Sequence, residues 1–226
     1  MLPFINDAKL LEFHINSEGC NVTTRPTLTA RELAATVCFA ALYVVFGFLK
    51  ISPIIGLPGQ AITAAAIVAP LMGVVLGPYI GALSTFLVGA TGFFIGSFSP
   101  PSLASGTAAA LSAGLIYTGK RKASVLLYLS LLVSFAFYPF VGPAWLHIAS
   151  LWFQVAILGV LASPLQSRAA KELSSNNNSR LLCAFFVTSL TSTMAGQIAG
   201  SWVFEVTSWP ILIPGMNVWV GIWQGV

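Results

Sequence analysis

The sequence predicts an all-α polytopic membrane protein, and three observations carry the prediction. Of 226 residues, 57% are hydrophobic and only 7% are charged, whereas a soluble domain carries roughly 25% charged residues. So few charges cannot clothe a globule in water, and lipid must be its solvent. The mean hydropathy is +0.88. The apolar residues come in continuous runs of about 15–20, the length at which a helix crosses a hydrocarbon core of about 30 Å. A barrel would show alternating segments of about ten residues instead. Cys20, Cys38 and Cys183 lie scattered, with no metal or redox spacing, and read as small apolar fillers.

Residues 1–30 mix polar and apolar types without the basic start and apolar core of a secretory signal. They read as a cytoplasmic or interfacial arm ahead of one transmembrane domain, residues 31–226. The first span is Glu32–Leu49, followed by an uncharged loop, Ile51–Gln60. Spans Ala61–Leu76 and Tyr79–Gly96 form a hairpin, and Ser97–Ser105 is a second uncharged loop containing Pro100-Pro101. A small-residue span, Gly106–Thr118, ends on Gly119-Lys120-Arg121-Lys122. Spans Ala123–Val141 and Ala144–Ala162 flank Gly142-Pro143, and a polar linker, Ser163–Arg180, leads to Leu181–Phe204. The closing apolar run, Gly215–Val226, reaches roughly 18 Å as helix, too short to cross. It reads as a truncated or half-inserted eighth span, after seven complete ones.

The hairpin tip organises this pattern. Gly77-Pro78 is a turn signal, since glycine supplies free φ and proline cannot continue the preceding ladder. Gly73, Gly77 and Gly81 recur every four residues, a groove that lets helix backbones approach closely in lipid or a partner dock.

Alternating the spans sorts the ten basic residues. With the N-terminus inside, Lys9, Arg25, Arg31, Lys120, Arg121, Lys122, Arg168, Lys171 and Arg180 all lie on the cytoplasmic side, and only Lys50 lies outside. That bias sets the orientation in the cell membrane. The net charge of +4 is therefore a topological signal, with no nucleic-acid partner implied.

Catalytic chemistry is hard to find. No ionisable residue falls at mid-membrane, which speaks against a proton relay. Gly114–Lys120 matches the first positions of a phosphate-binding loop, but Arg121 replaces the Ser/Thr that would meet Mg²⁺ and no strand precedes it. The chain reads as no enzyme, with neither cofactor nor metal site. Two polar stripes remain. Ser189, Thr193, Gln197, Ser201 and Glu205 recur every four residues, on nearly one helix side. His147, Ser150 and Gln154 share a side of the preceding span, near Trp145 and Trp152. Such stripes serve either as interhelical glue with an aromatic belt or as a pocket open to the outside. On the second reading Trp145, His147, Gln154, Gln197, Ser201 and Glu205 bind substrate.

Residues 31–118 resemble the substrate-binding (S) component of energy-coupling-factor transporters. The resemblance rests on the basic lead into Leu33–Val45, the uncharged loop 51–60, the stretch Ala69–Ala82 with its Gly73, Gly77-Pro78 and Gly81, and Phe98–Leu103 leading to Ala113-Gly114-Leu115-Ile116. It implies a six-helix core that captures a vitamin or similar micronutrient. It also implies translocation with a separate transmembrane scaffold and ATP-hydrolysing subunits. The family docks its scaffold through Ala-x-x-x-Ala on the first helix. Here Ala30 and Ala34 match at the extreme start, and Ala34 with Cys38 matches more loosely. The six helices are either spans 31–162, or a set in which two spans are inserted and 181–226 ends the fold. A competing reading is a membrane sensor or scaffold domain whose output domain lies beyond Val226.

Overall fold

Small residues decide the architecture. The computed structural model describes residues 30–53, 61–137, 148–173 and 177–207. Eight helices run through them: α1 (Ala30–Gly47), α2 (Ala65–Leu76), α3 (Pro78–Ile95), α4 (Pro100–Tyr117), α5 (Arg121–Ala136), α6 (Ile148–Ala162), α7 (Pro164–Glu172) and α8 (Asn178–Thr207). A short antiparallel pair, β1 (Lys50–Pro53) and β2 (Ala61–Thr63), interrupts the series between α1 and α2. Apart from that pair the elements are helical, as composition requires. Helix α3 and residues Asn178–Phe204 of α8 are each long and apolar enough to cross a membrane.

The centre of the bundle is α4, in which Ala109, Ala110, Ser112 and Ala113 are buried. With side chains this short, α2, α3 and α8 all press their backbones against it. Gly73 of α2 lies on the carbonyl of Ala110, and Gly114 of α4 lies on the backbone of Pro78. On the other side, a β-carbon at Gly196 of α8 would stand 2.6 Å from the Ser105 carbonyl oxygen. Helix α8 is thus integral to the core, and α5 and α6 flank it. Their seam holds a second apolar cluster of Ile116, Tyr128, Leu132, Ile157, Leu161, Ala195 and Ile198.

Three elements differ from the sequence expectation, each for a local reason. The loop Ser97–Ser105 is mostly helix, because Pro100 and Pro101 sit at the first helical positions, where a missing N–H costs nothing. The polar linker contains α7, started by Ser163, whose Oγ accepts from Leu165 N at 3.2 Å. The span expected from Ala61 begins at Ala65, because Ala61–Thr63 pair with Lys50–Pro53 across the loop. Pro70 is accommodated inside α2.

The two ends of the bundle are unlike. At one, Tyr43 stacks on Phe98 with ring centroids 5.2 Å apart, beside the β1–β2 pair. At the other, the Gly77-Pro78 turn, the α4–α5 turn and α7 come together. Lys120 Nζ lies 5.4 Å from the ring centroid of Tyr79, and α7 closes a cavity against the end of α4. The Gly77-Pro78 turn, the α4–α5 turn and α7 thus share one end of the bundle, here termed the basic end.

Candidate functional site

In the seam between α8 and the α5–α6 pair, one polar contact is set among apolar side chains. Tyr128 of α5 is fully buried, and a buried phenol must find an acceptor. Its Oη donates to Gln154 Oε1 of α6 at 2.5 Å. The Gln154 Nε2 donates in turn to Met194 Sδ of α8 at 4.0 Å. A thioether is a weak acceptor, so this amide carries donor capacity that a bound carbonyl or carboxylate would use better. Gln154 lies about 13 Å along the helix axis from Ser163, away from the basic end.

Gln197 and Ser201, the other predicted binding residues whose side chains are described, do not join it. Trp145 and His147 lie outside the described residues, and so does the side chain of Glu205. Gln197 is exposed, as is Ser189, while Thr193 and Ser201 are half-buried. Helix α8 turns Met194, Ala195 and Ile198 toward α5 and α6, and Gly196 and Gly200 toward α4. Gln197 falls on a third face with exposed Leu182 and Phe186, roughly a third of a turn from the seam. The described part of the four-residue stripe lies largely on the outer face of α8, and among the described binding candidates Gln154 alone meets the seam.

The residues expected to dock a partner divide as well. Ala30, Ala34 and Cys38 are exposed along α1, beside exposed Leu33 and Val37. Gly73 and Gly81 are not available to a partner, because both are consumed inside the bundle. A β-carbon on Gly81 would stand 2.7 Å from the Met72 carbonyl oxygen. Gly77 serves the turn, with φ 82° and ψ 172°, a region only glycine occupies readily. The matching glycine pair that sequence reading missed is Gly196 and Gly200, with the same spacing of four.

The stretch resembling a phosphate-binding loop is a helix cap. Gly119, with φ 70°, lets its own N–H reach Ile116 O at 3.0 Å and that of Lys120 reach Leu115 O at 3.0 Å, which is the Schellman arrangement. Beyond it lies a cavity of about 270 Å³, lined by Ile116, Tyr117, Thr118, Gly119, Arg121 and four residues of α7. Among the described residues, no group of three His, Cys, Asp or Glu side chains is placed to hold a metal ion.

No protein-family model, no curated protein and no solved structure matches the chain.

Proposed function

We propose that the chain is a multi-pass membrane protein with its basic end in the cytoplasm, and that it binds and translocates a vitamin or similar micronutrient. In this reading it works with a separate transmembrane scaffold and ATP-hydrolysing subunits, as the likeness of residues 31–118 to S components implies. Large exposed apolar side chains on α1, α3, α5, α6 and α8, among them Phe94 at 86% exposure, support a lipid surround. The end that gathers Lys120, Arg121, Lys122, Arg168 and Lys171 then faces the side where basic loops belong.

The observation that carries the binding function is the Tyr128–Gln154–Met194 contact. It supplies one oriented amide in an apolar seam between the core of α1 to α4 with α8 and the α5–α6 pair. Sites between bundle helices are typically apolar with a few placed polar groups. The exposed small-residue line of Ala30, Ala34 and Cys38 on α1 is the face available to a scaffold.

The test combines two measurements on the full chain. Thermal melting in detergent is followed with a panel of water-soluble vitamins, and co-elution is followed with a reconstituted scaffold–ATPase module. One micronutrient should raise Tm, and the chain should elute with the module. If no compound stabilises the chain and it elutes alone, the transport reading is wrong.

A further inference from the structure

We propose that the cavity at the basic end is a binding site for a phosphate-bearing anion: the headgroup of an acidic membrane lipid, or the same group on a soluble ester. The lipid source rests on the membrane placement proposed above. Neither source depends on transport.

Gln166 is 2% exposed and lines the cavity, yet among the described residues neither its Nε2 nor its Oε1 has a hydrogen-bond partner. An unpaired buried amide is costly, and buried polar groups nearly always find a partner. The amide is explained if something entering the cavity completes it.

The lining and its surroundings define what enters. Arg121 and Lys171 line the same cavity. From residue 119 to residue 180 there are six basic residues, Lys120, Arg121, Lys122, Arg168, Lys171 and Arg180, against one acid, Glu172. The positive charge is thus left largely uncompensated locally, which selects an anion. Two of the three lining hydroxyls already donate elsewhere, Ser167 to Pro164 O at 2.8 Å and Thr118 to Gly114 O at 2.9 Å. The remaining side-chain donors are the Arg121 guanidinium, the Lys171 ammonium, the Tyr117 phenol and the Gln166 amide. A fork, a point charge and a neutral N–H together suit a phosphate oxygen set. Helix α5 begins at Arg121 with no side-chain cap, so its first-turn N–H groups add positive potential nearby.

The apolar part of the lining gives the ligand a second property. Ile116, Ala170 and the Tyr117 side chain share the cavity with these donors. The ligand therefore pairs its phosphate with an apolar or neutral root, as the glycerol of a lipid does. Basic pockets between helices on the cytoplasmic side are a known setting for lipid headgroups.

The experiment uses the full chain in nanodiscs of an equal mixture of phosphatidylcholine and phosphatidylglycerol. Retained lipid is counted by native mass spectrometry. In a parallel arm, inorganic phosphate and glycerol phosphate are added to the protein in neutral detergent and Tm is followed. The wild-type chain should retain one phosphatidylglycerol, or should gain Tm from a soluble phosphate. The arm that responds identifies the source. Gln166→Leu should reduce that retention or shift about tenfold or more, the loss of one hydrogen bond to a charged group. Its Tm without anions should stay at or above wild type, since leucine leaves no unpaired amide. Arg121→Gln with Lys171→Gln should act like Gln166→Leu, while Lys122→Gln with Arg168→Gln, which removes equal charge outside the lining, should not. The proposal is overturned by unchanged binding in Gln166→Leu, by equal losses in the two double variants, or by no response to any phosphate compound.

Discussion

Substituting alanine at three glycines separates close helix packing from mere helix propensity. At Gly196 the new β-carbon would lie 2.6 Å from the Ser105 carbonyl oxygen and 3.0 Å from the Ala109 β-carbon. That is about 0.8 Å short of an ordinary contact with a backbone oxygen, which has no rotamer to swing away. Helix α8 must shift against α4, and such overpacking costs about 1–3 kcal/mol. Removing a glycine from a helix interior returns only about 0.5–1 kcal/mol. The net expectation for Gly196→Ala is a loss of about 1–2 kcal/mol. At Gly200 the nearest atoms are Pro101 O and Ser105 Cβ, both at 3.1 Å, so small shifts suffice and the change should be near neutral. At Gly159 nothing lies within 4 Å, so alanine should stabilise by about 0.5–1 kcal/mol. Thermal and denaturant unfolding of the full chain in one detergent should rank Gly159→Ala highest, Gly200→Ala with wild type, and Gly196→Ala lowest. A Gly196→Ala protein as stable as Gly159→Ala would refute the α4–α8 packing described above.

Gly77→Ala meets no neighbour within 4 Å but must hold φ 82° and ψ 172°, so unfolding assays should show a loss of about 1–3 kcal/mol from backbone strain alone. Tyr128→Phe strips the donor from Gln154 Oε1 and should lower stability by about 1–3 kcal/mol; under the proposed function it should also weaken the Tm gain given by the micronutrient. Ala34→Trp and Cys38→Trp place bulk on exposed α1 positions. They should leave Tm unchanged yet abolish co-elution with the scaffold module, whereas Gly81→Leu should fail at folding.

Sequence alone shows where apolar runs lie, and a helix needs little more than its run to be found. Register around the helix is harder to read. The four-residue repeat Ser189–Glu205 marks a real stripe, but adjacent Gly196 and Gly200 claim the α4 side and Met194 and Ile198 the seam, leaving Gln197 exposed. The polarity of a side chain does not say which neighbour it meets. Gly73 and Gly81 carry the same ambiguity: spacing by four predicts close approach, and only the position of α4 and the hairpin shows that the approach is internal. Gln166 was invisible within a polar linker, because nothing in Ser163–Arg180 signals that α7 folds its glutamine against the end of α4. The turn at Gly77-Pro78, by contrast, was legible, since it depends on local backbone chemistry and not on packing.

Under the proposed function the chain captures a small molecule in the seam that holds Gln154. Native mass spectrometry of the full chain, extracted from membranes and purified in mild detergent, tests it most directly. The wild-type chain should carry one small-molecule adduct of constant mass, lost in Gln154→Leu and retained in Gln197→Ala. A bare chain after every extraction, or an adduct that survives Gln154→Leu unchanged, would contradict it.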